Sequence, residues 1–310
     1  MNMSNTFWPQ QRVLVTGGSG FLGSHLCRRL VDCGAEVHAT SRVERAQRDS
    51  EPRWRQADLA GIGVAHRLVS EVRPDIVYHL AGSVTAVPGK EFVLPTFHSL
   101  LTSTVNLLAA VAELGCRRLI LCGSFMEPDA SQGVVTPSSP YAAAKWAASG
   151  YGRMFQALYG TPTVILRTYM TYGPGQDSKK LIPATIGSLL RGAPPQLSSG
   201  LWQADWIYVD DVLEGFLAAA HTPGLEGCTL ELGSGTLVSV RAIVEELVAI
   251  MRPSAQPVFG ALPDRPLELV RAASTAESAQ KLGWRPSTSL NTGLRRTVEW
   301  YSGRGNGINL

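Results

Sequence analysis

The segment that most narrows the fold is Val13-Leu14-Val15-Thr16-Gly17-Gly18-Ser19-Gly20-Phe21-Leu22-Gly23. An apolar run turns at once into glycines spaced G-x-x-G-x-x-G, and an amphipathic helical pattern follows over 21–31. Gly17 suits the tight turn, Gly20 a close backbone approach to a pyrophosphate, and Gly23 close helix–strand packing. The helix N-terminus, with Phe21 and Leu22 in its first turn, adds N–H donors and a positive dipole. A flexible turn is the plainer reading of bare glycines, but the strand–turn–helix context favours a dinucleotide site.

The rest of the first half repeats the alternation. Strand-like runs fall at 12–16, 36–40, 75–80, 118–122 and 163–167, with a weaker one at 54–57, and helical patterns fall at 21–31, 63–72, 97–114 and 141–159. This rhythm predicts an α/β fold, a doubly wound parallel sheet with helices on both faces and ligands along the carboxyl edge of the strands. Past Arg167 it breaks at Gly173-Pro174-Gly175, Pro183, Gly192-Ala193-Pro194-Pro195 and Ser198-Ser199-Gly200, which predicts loops and short helices. A strand at 206–209, a helix at 211–220 and a strand at 229–232 are expected to return to the sheet, with later helices at 240–251 and 290–300. The expected domains are a dinucleotide-binding unit over 1–168, rejoined by 205–233, and a smaller discontinuous substrate domain from 169–204 and 234–310.

Composition removes other classes. With 45% hydrophobic and 17% charged residues in 310, the chain can bury a large core, which excludes global disorder. The net charge of +3 comes from Lys and Arg spread along the chain, so no nucleic-acid partner is expected. No uninterrupted apolar stretch approaches the ~20 residues of a membrane-spanning helix, and Met1-Asn2-Met3-Ser4-Asn5 lacks the regions of a signal peptide. The expectation is a cytoplasmic protein with no membrane contact. Cys27, Cys33, Cys116, Cys122 and Cys228 show no CxxC or Cys/His spacing, so reduced thiols and no metal are expected.

The end of the second strand distinguishes nicotinamide cofactors. An Asp or Glu there accepts hydrogen bonds from the ribose of NAD and repels a 2′-phosphate. The chain instead reads Ala39-Thr40-Ser41-Arg42, a hydroxyl donor followed by a guanidinium, which favours NADP(H) over NAD(H). Asp58, after the third strand, is a candidate adenine contact and equally an ordinary turn residue.

Tyr141-Ala142-Ala143-Ala144-Lys145 puts a phenol and an ammonium one helical turn apart on one face. A nearby lysine and the positive nicotinamide both favour the phenolate, so the pair is expected to move a proton to or from a sugar hydroxyl while the nicotinamide moves a hydride. Ser124, just past the strand at 118–122, can hold the same oxygen.

In this order across almost the whole chain, the residues resemble the short-chain dehydrogenase/reductase superfamily in its extended branch of nucleotide-sugar epimerases, dehydratases and ketoreductases. The matching words are TGGSGFLG at 16–23, HLAG at 79–82, the serine at 124, YAAAK at 141–145, YGPGQ at 172–176, DWIYVDDV at 205–212 and LGWRP at 282–286. The resemblance implies a seven-stranded Rossmann sheet with a small C-terminal substrate domain, and catalysis by Ser124, Tyr141 and Lys145. It implies cofactor contacts from Asp58, Leu59, Leu80, Ala81 and Gly82 as well as from Tyr141 and Lys145. A nucleotide-sugar substrate would meet Ser124, Tyr141 and Arg265, the last matching a family arginine that clamps the diphosphate. Members commonly form homodimers through the two long helices, here near 97–114 and 141–159.

Departures narrow the expectation. The family's 4,6-dehydratases follow the catalytic Ser/Thr with acids, whereas Phe125 and Met126 follow Ser124 and cannot transfer a proton. Glu127, one place later, is expected to point elsewhere. Met170 replaces a family asparagine and Ala204 a family arginine, both at positions that often bind the diphosphate. Lys179 and Lys180 read as solvated, with a diphosphate contact as the alternative. An NADPH-dependent ketoreductase of a nucleotide-linked 4-keto-deoxyhexose is the expectation, an NAD-dependent NDP-hexose 4-epimerase the alternative. The intact Tyr–Lys pair disfavours a protein that only senses cofactor.

Overall fold

In the strand β1 (Arg12–Thr16), Val13, Leu14 and Val15 are fully buried. A strand buried on both faces belongs inside a sheet covered by helices on both sides. β1 pairs in parallel with β2 (Glu36–Ser41) and with β4 (Ile76–His79); β3 (Arg53–Gln56) joins β2, and β5 (Arg118–Ser124) joins β4, again in parallel. With β6 (Thr163–Thr168) and β9 (Thr229–Leu232) the order is β3-β2-β1-β4-β5-β6-β9, the seven-stranded sheet expected. The direction of winding reverses between β1 and β4, where the carboxyl ends of a doubly wound sheet leave a ligand crevice. The computed structural model describes residues 7–48, 51–129 and 135–303. The segment read for targeting signals, residues 1–5, lies outside them.

The chain divides into two compact units: residues up to Arg167 with Gly215–Leu230 and Lys281–Gly283, and a second unit of Thr168–Glu214, Glu231–Gln280 and the remainder from Trp284. In the first, α1 (Phe21–Asp32), α2 (Val64–Val72), α3 (Ser103–Leu114) and α4 (Pro140–Tyr159) flank the sheet. Leu14, Val77, Leu107, Val111, Leu119 and Ile165 share one apolar cluster between strands and helices. α4 begins at Pro140 because Pro needs no amide partner there and the Ser139 hydroxyl caps the Ala142 amide at 3.2 Å. It ends where Gly160 takes a left-handed conformation (φ 65°).

The chain is already helical before α3, through a π-helical stretch at Phe97–Thr102. The whole run Lys90–Leu114 is 25 residues and, by length and composition, apolar enough to cross a bilayer. Reading only uninterrupted apolar runs misses it, because His98, Ser99, Thr102 and Asn106 break the run without lowering its mean hydropathy enough. The run packs against α2 and α4 within the first unit.

In the second unit β7 (Met170–Tyr172), β8 (Gln203–Tyr208) and β10 (Leu237–Ser239) form a separate sheet, β7–β8 parallel and β8–β10 antiparallel. The strand expected at 206–209 therefore does not return to the large sheet. It starts three residues earlier and joins β7 and β10, since burial alone marks a strand but not its partner. The unit's helices are α5 (Leu181–Leu190), α7 (Val240–Met251) and α9 (Leu290–Ser302), packed together, with α8 (Thr275–Leu282) up to Gln280 and the start of α6 (Val209–His221). The part of α6 from Gly215 belongs to the first unit, as the expected return of that helix requires. Pro183, read as a break, sits in the first turn of α5, where backbone amides lack helical partners in any case.

Two buried aspartates hold this unit's loops. Asp205 accepts the amides of Ser234, Gly235 and Ala273 and the Ser234 hydroxyl. Asp211 accepts the amides of Ser287 and Thr288 and the Ser287 hydroxyl, while the Trp284 indole donates to its backbone carbonyl. The DWIYVDDV and LGWRP words thus meet as one structural clamp.

Candidate active site

At the carboxyl end of β1, Gly17 turns with φ 70°, and a Cβ there would stand 2.7 Å from the Ala81 amide nitrogen. Thr40 at the end of β2 accepts the Gly17 amide on its hydroxyl and the Gly18 amide on its carbonyl. A Cβ on Gly23 would overlap the Gly17 carbonyl, so only glycine lets α1 begin so close to the loop. Gly20, the N-cap of α1, supplies no capping side chain. The first-turn amides of Phe21, Leu22 and Gly23 therefore point out of a glycine-lined cradle as an anion site needs. This cradle fits the pyrophosphate of a dinucleotide.

The neighbouring strand ends carry the other cofactor candidates. Ser41 is buried and its hydroxyl accepts the Val43 amide at 3.2 Å. Arg42 is exposed, its carbonyl taken by the Gln56 side chain, and its guanidinium has no ion-pair partner among the described residues. Asp58 is exposed and accepts the Ala60 amide at 3.1 Å, an Asx turn after β3. The Leu59 side chain is in the core and its carbonyl accepts Asn106, so only its backbone borders the strand end. Leu80 and Ala81 donate their amides to Thr16, and Gly82 (φ 141°) has no room for a Cβ against Leu100.

Ser124, Tyr141 and Lys145 come together. Ser124 is the last residue of β5, not the residue beyond it, and its buried hydroxyl hydrogen-bonds the Tyr141 phenol. Tyr141 occupies the first turn of α4. One turn on, the Lys145 ammonium donates to the Cys122 carbonyl at 2.6 Å. That reach needs α4 close to β5, and Gly152 provides it, since a Cβ there would lie 2.6 Å from Leu121 Cδ1. A cavity of about 10 Å³ bounded by His79, Thr104, Cys122 and Lys145 lies behind the ammonium, the size of one water.

Burial raises the Tyr141 pKa, and the lowering by Lys145 and the Ser124 hydrogen bond does not offset it. Within the protein's own groups the phenol is held protonated, with Lys145 and Ser124 acting in the expected lowering direction. Burial lowers the Lys145 pKa, but Cys122, Tyr141 and Glu127 together raise it further, so the ammonium stays charged.

Glu127 does point away from the position of a substrate acid. Fully buried, it accepts the Ser124 amide at 2.7 Å and the Arg167 Nε at 3.2 Å. His79, which belongs to the HLAG word but carries no assigned role, is also buried. Its Nδ1 is 2.8 Å from the Thr16 hydroxyl and its Nε2 2.9 Å from that of Thr104. Thr104 donates to the Leu100 carbonyl at 2.6 Å, so its oxygen accepts from Nε2–H, which leaves Nδ1 to accept from Thr16. A polar residue inside an apolar strand was the only signal for His79, while Glu127 lies past the strand in the turn after β5.

Arg265 lies in the second unit and is exposed. Lys180, expected to be solvated, is the half-buried N-cap residue of α5. Its pKa is lowered first by burial and further by Arg265, against a raising by Asp177. Lys179 is exposed as expected. Ala204 is buried within β8 and Met170 opens β7. The cysteines are all free, with burial pushing the Cys27 and Cys116 thiols up to about 12. No metal-binding group of His, Cys, Asp or Glu occurs among the described residues.

The chain is 27% identical to the dTDP-D-glucose 4,6-dehydratase of Mus musculus, over 94% of this chain and 88% of that protein. It is also 27% identical to the UDP-glucose 4-epimerase of Mycolicibacterium smegmatis, over 94% and 98%. The solved UDP-glucose 4-epimerase of Thermotoga maritima with UDP-glucose has a TM-score of 0.85 to this fold at 25% identity, over 94% of this chain and 98% of that one. That of Thermus thermophilus, in complex with NAD, has a TM-score of 0.83 at 27% identity, over 94% and 99%. Residues 13–233, from the first strand of the glycine cradle to the end of the large sheet, match the signature of the NAD dependent epimerase/dehydratase family, and the chain belongs to that family.

Proposed function

We propose that this member is an NADPH-dependent ketoreductase acting on a nucleotide-linked 4-keto-deoxyhexose. The observation that carries the reading is the end of β2. Where a carboxylate would select NAD, the chain places Ser41 and the exposed guanidinium of Arg42, without an ion-pair partner among the described residues, a site with charge for a 2′-phosphate. The nicotinamide supplies the hydride. Tyr141, protonated through burial, donates its proton to the oxygen that develops negative charge, and Ser124 Oγ holds that oxygen. Lys145, fixed on the Cys122 carbonyl, offsets the charge left on Tyr141 and would help hold the nicotinamide ribose of a bound cofactor. In the second unit, Lys180 and Arg265 lie near enough for their charges to interact, which suits the diphosphate of a nucleotide sugar.

A dehydratase role is disfavoured, because Phe125 and Met126 carry no transferable proton and both Glu127 oxygens are engaged. The second reading, an NAD-dependent NDP-hexose 4-epimerase, draws its support from the UDP-glucose 4-epimerases related to this chain. The proposal extends to a cytoplasmic homodimer, on the apolar side chains that the helical runs Lys90–Leu114 and Pro140–Tyr159 leave exposed, among them Leu94, Phe97, Leu158 and Tyr159. Incubation with a 4-keto nucleotide sugar and NADPH should bleach the nicotinamide absorbance. No oxidation, with interconversion of two NDP-hexoses by protein that retains NAD, would sink the reductase reading in favour of the epimerase.

A further inference from the structure

Among the described residues of the first unit, Glu127 is the only buried carboxylate, and none of the proposed chemistry uses it. It sits in the turn that ends β5. One oxygen takes the Ser124 amide at 2.7 Å, its own amide donates to the Ser124 carbonyl at 3.1 Å, and the other oxygen takes Arg167 Nε at 3.2 Å from β6. Between them the Met126 amide donates to Ser124 Oγ at 3.2 Å. A Cβ on Gly123 would stand 2.7 Å from the same carboxylate oxygen, so glycine leaves the space that the carboxylate fills. The Glu127 side chain is fully buried, at 0% accessibility against 18% for Arg167.

We propose that Glu127 is a positioning residue of the reaction: its carboxylate, shared between the Ser124 amide and the Arg167 guanidinium, fixes the turn that aims Ser124 Oγ and sets the charge beside Tyr141 and Lys145. The proposal rests on the proton chemistry of Tyr141 but not on the identity of the sugar. Removing the carboxylate leaves the Ser124 amide buried without an acceptor, and the turn relaxes to find one. Ser124 Oγ moves with it. The groups facing Tyr141 are Lys145, Ser124, Cys122 and Glu127, with Arg167 behind Glu127. The anion disfavours the phenolate and favours the Lys145 ammonium, consistent with the directions of both shifts.

E127Q and E127A separate the two effects. Gln retains an oxygen for the Ser124 amide but not the charge, whereas Ala retains neither. Tyr141 ionisation is read from its own 19F resonance in full-length protein labelled with 3-fluorotyrosine, assigned by loss of the signal in Y141F. The E127Q midpoint should fall below that of the unmodified chain. In turnover of a nucleotide hexose or its 4-keto derivative, E127A should lose kcat by ~10²-fold with KM little changed, as for displacement of a reacting group by about 1 Å, and E127Q should recover most of it. E127A should cost nothing further in an S124A background. An E127Q midpoint at or above the unmodified one, or an E127A penalty undiminished in S124A, overturns the proposal. Failure of the unmodified protein to turn over any such sugar counts against the functional reading, and the 19F midpoint of E127Q, which preserves side-chain shape, then decides this one alone.

Discussion

His79 offers a sharp test of the site's construction. The imidazole is 4% exposed and its pKa is lowered from 6.5 to about 3, first by burial and then by the Lys145 charge. Above pH 6.5 the ring is neutral in both folded and unfolded chains, and its titration contributes nothing to stability. Below that, the unfolded chain takes up a proton that the folded one refuses, so stability falls as pH falls and the loss saturates near pH 3. At 1.36 kcal/mol per pH unit the loss is about 2 kcal/mol by pH 5 and about 5 kcal/mol by pH 3. His79→Asn removes the titrating ring together with its bonds to Thr16 and Thr104, and should cost about 1–3 kcal/mol at pH 7.5. Its deficit relative to the unmodified chain should then shrink by about 2 kcal/mol between pH 7.5 and 5, as the unmodified chain alone pays the protonation penalty of this ring. Urea unfolding of both proteins at the two pH values measures this, and the other histidines cancel in the comparison. A deficit independent of pH, or a 15N resonance of the His79 ring that titrates near 6.5, would refute the reasoning.

Arg42→Ala should weaken NADPH binding by at least tenfold while leaving NADH nearly unchanged, read by nicotinamide fluorescence titration; equal losses exclude a 2′-phosphate clamp. Gly152→Ala places a methyl 2.6 Å from Leu121 Cδ1 and should cost about 1–3 kcal/mol by denaturant midpoint, with a fall in kcat because α4 carries Lys145. Asp211→Asn turns one of its three accepting contacts into a donor facing a donor, and should lower stability by about 2 kcal/mol without changing NADPH affinity.

The central strands of the large sheet were legible because they are buried on both faces and read as apolar runs alternating with helical periods. The edge strand β3, Arg-Trp-Arg-Gln and only partly buried, follows β2 without a helix and read weakly. Position within a strand was less legible. β5 runs two residues further than its apolar run, through Gly123 to Ser124, because Lys145 and Glu127 satisfy the strand end's carbonyl and amide. The second unit was read least well. Its three-stranded sheet joins segments some thirty residues apart, and β7 and β10 are only three residues long, too short to show any period. α5 was read only as a short helix without bounds after the YGPGQ word, because Pro183 is a breaker everywhere in a helix except its first turn.

The chemistry-bearing side chains themselves, Ser124, Tyr141 and Lys145, stand in recognisable words, but what sets their protonation does not. Lysine one turn from tyrosine lowers the phenol's pKa as its spacing suggests, but the fold also buries the phenol and adds a carboxylate from Glu127, and among the protein's own groups the raising effects outweigh it. No spacing rule contains that result, because the burial comes from packing and the carboxylate reaches the site through a turn. The same holds for the cradle, where Thr16, Thr40 and His79 spend their polar groups on backbone and on one another and so hold the strand ends in register. A protonated phenol at rest favours the direction in which the enzyme gives a proton, and an epimerase must pass it back within each turnover. Burial and Glu127 set that resting state together with Lys145 and Ser124, the two groups proposed to meet cofactor and substrate, so the construction of the site and its chemistry share the same side chains.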